Sequence, residues 1–392
     1  MYSSSIIGST QTILDDFKLD GMMMRYSQFV PRLYNYCLSM GMEAGKIMPS
    51  RAFCSDESQG FPIILLAKQF GTFPFNHGLV GGVVSTDRHG PHAAHGKDMM
   101  IIQASHVGYE PESQTFGIYR RVQTDDCHHS TNCGKISGTL KWYLDEYHFA
   151  RENIFLELND NGQYQISINN LLLNEDREEG LLLDLEKMIA FDHSGKAELI
   201  YSLSTARCFK ASKEFMEHLK ISEDNRPKEK SMAIGHLLTP ELFKFRRQIN
   251  SRTEGPAHLE KNLIGPMPWI VTHPAPSLAA AQILTQVEFD RAYRTILNES
   301  GYKNRNLLFI SGLNIDISPR NDQVFPLTKF VPWAAYIQKT DGSHFILEQK
   351  ELFDTLKDID VHNDRQIDIE KEIQVMEETE EVQISYDFLS KK

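Results

Sequence analysis

The sequence predicts an α/β fold: a central, mostly parallel sheet flanked by helices, with a helical region before it and an α/β extension after it. Three observations carry that expectation. Residues 51–135 alternate short apolar runs with glycine-rich turns, the pattern of strands separated by loops. Residues 11–17 and 22–42 instead carry apolar side chains at i, i+3 and i+4 spacing, which is helical. A strand-like run returns at 307–310, beyond a helical stretch at 278–297.

Residues 1–50 form the N-terminal helical region. Met22, Met23 and Met24 read as core filler or as a surface for a partner helix, because methionine fills irregular gaps. Cys37 reads as a small buried hydrophobe in the same helix. Residues 51–220 are expected to form one domain. Within it, Phe61-Pro-Ile-Ile-Leu-Leu-Ala67 is a helix or a buried strand, and the run is too short to decide. Met99-Met-Ile-Ile-Gln-Ala104 reads as a buried strand that delivers His106 at its C-terminal end. Sites form at that edge of open α/β sheets. Residues 140–151 are helix-like. A hairpin follows, with 154–158 and 164–168 flanking the turn Asn159-Asp-Asn161-Gly162. A second strand pair, 188–191 with 197–203, is expected to flank Asp192-His-Ser-Gly195.

Residues 221–231 are polar and charged and read as a linker. Residues 232–350 read as a second α/β portion, with strands at 269–273 and 307–310. Its run from Leu308 to Pro319 shares a pattern with the run from Met100 to Pro111. Each passes from an apolar strand to a loop ending in proline, which raises a degenerate repeat. Asn314 then stands where His106 would be; two unrelated buried strands is the simpler reading. Residues 351–392 form an acidic C-terminal tail that includes Glu377-Glu-Thr-Glu-Glu381.

Composition narrows the function classes. The 392 residues are 41% hydrophobic and 10% aromatic, which suits a globular protein. The net charge of −12 argues against nucleic acid or an anionic membrane as a partner, since both need a basic surface. No apolar run approaches the roughly 18 residues of a membrane span. The N-terminus lacks a basic segment followed by an apolar core, so no secretory signal is expected. The five cysteines are odd in number and irregular in spacing, which disfavours a disulfide framework. A cytoplasmic protein is the expectation.

The chemistry concentrates between Cys54 and Cys133. Two thiols and an imidazole, each at the edge of an apolar run, make a soft tetrahedral metal site, and three protein ligands with one open position describe a catalytic zinc. Cys54 and His106 are two of the candidates. Cys127, His128, His129 and Cys133 all qualify as the third by chemistry. Cys133 is followed by Gly134, which leaves room for an ion, whereas Cys127 lies beside Asp125 and Asp126 and reads as a solvated turn. Asp56, two residues after Cys54, is placed to accept a proton or hydrogen bond beside the ion, or to ligate it.

Taken together, Cys54-x-Asp56, the loop Gly78-Leu-Val-Gly81-Gly82, Ser105-His106-Val-Gly108 and Ser130-Thr-Asn-Cys133-Gly134 resemble the limiting-carbon-dioxide-inducible (LCIB-type) family. That family is a branch of the β-carbonic anhydrases, and the carboxysomal shell carbonic anhydrase is a more distant likeness. The resemblance covers roughly residues 20–210. It implies a β-carbonic-anhydrase-like sheet, a homodimer, and Zn2+ held by Cys54, His106 and Cys133. It also implies zinc-bound hydroxide attacking carbon dioxide to give bicarbonate. The β-class pairs the aspartate with an arginine, commonly as Cys-x-Asp-x-Arg, but Ser58 occupies that fifth position here. The resemblance puts the arginine in the loop after the glycine turn, at Arg88, with Arg51 in reserve. His89, His92 and His95 would then be placed to shuttle protons.

Overall fold

Among the described residues eight strands form the central sheet, and the order of six of them fixes where the site lies. Across the sheet run Met24–Arg25, Leu327–Gln338, Leu307–Ile317, Asp98–Glu110, Ile47–Ala52 and Phe75–Asn76. The last four of these are mutually parallel. Leu327–Gln338 is antiparallel to its neighbour Leu307–Ile317, and His344–Glu348 pairs onto it. The computed structural model describes residues 5–84, 98–121, 129–170, 178–219, 231–249, 256–319, 327–362 and 367–378.

The two central strands are buried on both faces because both alternating sets of side chains are apolar. Met100, Ile102, Leu308 and Ile310 pack with the helices Tyr26–Ser39 and Gln349–Asp358 on one face. Met99, Ile101, Leu307 and Phe309 pack with Phe289, Ala292 and Ile296 of the long helix Pro276–Asn298 on the other. Cys37 is buried and free in its helix, as expected. Of the three adjacent methionines, Met24 is buried and Met23 exposed.

The ambiguous run at 61–67 is the helix Gly60–Phe70, closed by Gly71 at φ +75°. The 140–151 helix extends over Gly134–Glu152. The hairpin forms as Ile154–Leu158 against Tyr164–Asn169, with Asn159 Oδ1 accepting from the Asn161 and Gln163 amides across the turn.

Several expectations are corrected. His106 lies inside its strand, which continues to Glu110, because parallel pairing with Leu307–Ile317 carries backbone bonding past the apolar run as far as Tyr109. The run at 269–273 is not a strand: Met267–Thr272 is a helix, started by prolines 266 and 268, whose fixed φ suits a first turn. Leu199–Ser202 pairs with Ala206–Lys210 rather than with 188–191, leaving Phe191 and Ala197 as an isolated bridge. The runs from Met100 and Leu308 lie side by side in the sheet, in the register that sets Met100 against Leu308 and His106 against Asn314. Strands from 51–220 and from 232–350 therefore share one sheet. The linker residues 221–230 lie outside the described residues.

Candidate metal centre

Cys54 follows the strand Ile47–Ala52, and the glycine loop folds onto it. A side chain on Gly78 would put its Cβ 2.3 Å from the Phe53 carbonyl, and one on Gly82 would sit 2.2 Å from that of Ala104. Only glycine lets the loop lie this close to both the Cys54 segment and the His106 strand. Gly81, at φ +73°, then points its amide at Cys54 Sγ, 3.1 Å away. Cys133 is the N-cap of the 19-residue helix Gly134–Glu152, where the helix dipole favours a thiolate.

The sheet and these two junctions bring the three donors together. Cys54, His106 and Cys133 are all buried, and their ligand atoms lie within 4.8 Å of one another. The two sulfurs are 3.8 Å apart. Two Zn–S bonds of about 2.3 Å at a tetrahedral angle span about 3.8 Å, so the pair is already spaced for that ion. His106 Nδ1 is engaged by Asp316, whereas Nε2 is buried with no hydrogen-bond partner. A buried nitrogen left without a partner is costly unless something binds it. The donor set and spacing therefore fit zinc.

The three donors shift one another's titration, and burial opposes charge on each of them. Cys54 is pushed down to about 3, chiefly because Cys133 donates to its sulfur, with burial opposing and His106 and the Gly81 amide assisting. Cys133 is pushed up to about 12 by its hydrogen bond with Cys54 and by burial, with His106 opposing. Burial works against a charged His106, yet the Cys133 sulfur and the Asp316 carboxylate outweigh it and hold the imidazole well above its ordinary value.

Asp56 caps the short 3-10 turn Glu57–Gln59 by accepting from the Ser58 amide at 3.2 Å. Burial raises its carboxyl, against the lowering effect of His106. Among the described residues its arginine is Arg121, whose guanidinium lies 3.7 Å from Asp56 Oδ1. Arg121 also grips Glu57 and Ser130 Oγ and lies over the Tyr119 ring. Arg51, the reserve candidate, makes no ion pair with Asp56 among the described residues; burial lowers its pKa, and its charge helps to lower that of the buried His77. Arg88 lies outside the described residues, as do His89, His92, His95, Cys127 and His128. His129 opens the short strand His129–Thr131.

Sequence reading missed four residues of this site: Gln59, Arg121, Asn314 and Asp316. Asn314 and Asp316 lie in the run that echoes the His106 strand, which was their one signal. Gln59 and Arg121 carried none, since neither belongs to a motif.

No protein-family model matches the sequence, and no curated protein matches it. Solved structures with a similar chain path are PtLCIB4, a homologue of the limiting CO2-inducible protein LCIB, and LCIB itself. PtLCIB4 is 10% identical with a TM-score of 0.47, covering 86% of this chain and 98% of that one. LCIB is 10% identical with a TM-score of 0.44, covering 84% and 96%.

Proposed function

We propose that the protein is a zinc-dependent carbonic anhydrase that interconverts carbon dioxide and bicarbonate. The observation that supports it best is the buried Cys54, His106 and Cys133 set with His106 Nε2 unengaged. Among the described residues the cluster has three members, and three protein donors are the mark of a catalytic zinc where four mark a structural one. Zinc held there supplies hydroxide at neutral pH, the nucleophile that hydration of carbon dioxide needs. Cys54 and Cys133 contribute the negative charge and His106 the neutral donor. Val83 and Val107 are buried in the same hydrophobic cluster as both cysteines, so the two thiols border apolar packing. Asp56 orients or accepts a proton beside the open position, and Arg121 restrains its carboxylate. The test is zinc analysis together with stopped-flow hydration of carbon dioxide on the purified protein. About one zinc per chain with catalysed hydration supports the reading; a zinc-loaded protein that leaves the uncatalysed rate unchanged removes it.

One observation favours a second reading, a zinc-binding homologue without catalysis. Ser58 stands where the common β-class motif has arginine, and its hydroxyl is committed to Asp316 at 2.8 Å. Arg121 divides its guanidinium between Asp56 and Glu57. If Glu57 holds it, Asp56 is free to turn to the position that substrate chemistry requires.

A further inference from the structure

Asp316 is wholly buried on the strand Leu307–Ile317, 210 residues from His106 in sequence. All four groups bonded to its carboxylate are donors. Oδ2 accepts from Ser58 Oγ at 2.8 Å, from Gln59 Nε2 at 2.8 Å and from His106 Nδ1 at 2.9 Å. Oδ1 accepts from Thr328 Oγ1 at 2.9 Å.

The direction of these bonds is fixed from a distance. The Tyr26 hydroxyl donates to Asn314 Oδ1 at 2.7 Å, Asn314 Nδ2 donates to Gln59 Oε1 at 2.6 Å, and Gln59 Nε2 donates to Asp316. Reversing Gln59 would aim its oxygen at a carboxylate, and reversing Asn314 would set two amide oxygens against each other. The chain of donors therefore runs one way, toward Asp316, and the carboxylate can only accept from His106 Nδ1. A histidine that gives its Nδ1 proton to a fixed acceptor presents its lone pair at Nε2. That is the nitrogen left without a partner in the buried cluster.

We infer that Asp316 is the positioning residue of the metal centre, locking His106 in the Nδ1–H form so that Nε2 faces the ion, and that the strand Leu307–Ile317 thereby sets the site's affinity for zinc. This rests on the metal-centre reading above. It also explains why Asn314, across from His106 in the sheet, is polar and buried without being a ligand: it orients Gln59.

The test compares wild type with Asp316→Asn, which keeps size and removes the charge. Zinc affinity is read by competition with a chromophoric chelator, and the His106 tautomer by two-bond 1H–15N spectra of the zinc-loaded protein. Wild type is expected to carry its proton on Nδ1. Asp316→Asn is expected to lose about 10- to 100-fold in zinc affinity, with the tautomer no longer uniform. A purely structural role for Asp316 would leave the tautomer unchanged. Equal affinity and an unchanged tautomer in a folded Asp316→Asn overturn the inference while leaving the metal centre standing. If that variant fails to fold, the wild-type spectrum decides alone: a proton on Nε2 overturns the inference. Wild type that binds no zinc removes the metal-centre reading itself, and this inference with it.

Discussion

Replacing Arg121 with alanine is expected to leave zinc bound and to lower hydration of carbon dioxide by about a hundredfold. The guanidinium lies 3.7 Å from Asp56 Oδ1. At an effective dielectric of about 20, unit charges at that distance attract by roughly 4 kcal/mol before solvent competes. The side chains are 23% and 12% exposed, so part of that attraction is screened. Retaining about 2–3 kcal/mol corresponds to about a hundredfold in rate, if the restraint is needed only in the reacting state. Without it, Asp56 competes for the position that the three donors leave open. The assay is stopped-flow hydration with an indicator dye, run beside zinc analysis on the same preparation. Arg51→Ala is the control, because Arg51 does not pair with Asp56 among the described residues, and it should stay active. Wild-type turnover in Arg121→Ala would refute the reasoning. Turnover lost in Arg88→Ala instead would restore the assignment made from sequence.

Cys133→Ser is expected to lose zinc, whereas Cys127→Ser should keep it; metal analysis of both checks the third donor, and the opposite pattern moves it to Cys127. Gly82→Ala should destabilise the fold by at least about 2 kcal/mol in urea unfolding, because its Cβ would meet the Ala104 carbonyl at 2.2 Å and its φ is +80°. His77 gives a pH dependence. Burial, then the Arg51 charge, pushes its pKa down to about 3, and its Nδ1 lies 2.6 Å from Ser50 Oγ. The unfolded chain takes up this proton below about pH 6.5 and the folded chain does not. The stability contributed by His77 is thus complete above pH 6.5 and lost as pH falls toward 3, by up to about 1.4 kcal/mol per pH unit. His77→Gln should flatten that slope in urea midpoints measured from pH 4 to 6.5, and an unchanged slope would count against a buried neutral His77.

What was legible in the sequence was local. The Met99 run, the Asn159–Gly162 turn and the glycine loop declare themselves through period and backbone demand, and the structure has them. Cys54 and His106 stood out because few residue types bind a soft cation, while Cys133 was one of four candidates for the third donor until the family resemblance named it; the fold brings these three together. The run at 269–273 misled because short apolar segments look alike in strands and buried helices; packing against Pro276–Asn298 decides, not period. Asp316 and Arg121 were illegible for another reason. An aspartate 210 residues from the histidine it holds, and an arginine after the short strand Ile118–Arg120, gain their roles only from the pairing of strands. The pattern shared by the Met100 and Leu308 runs hinted at the first of these, because it predicted the register without predicting that the two strands touch.

We propose that Cys54, His106 and Cys133 hold a zinc that makes this protein hydrate carbon dioxide. The most direct measurement is 18O exchange between carbon dioxide and water, followed by mass spectrometry, on one preparation as purified, after chelation and after zinc is restored. Exchange is expected to fall to the uncatalysed rate on chelation, to return with about one zinc per chain, and to be absent in His106→Ala throughout. Exchange at the uncatalysed rate in protein carrying its full zinc would contradict it.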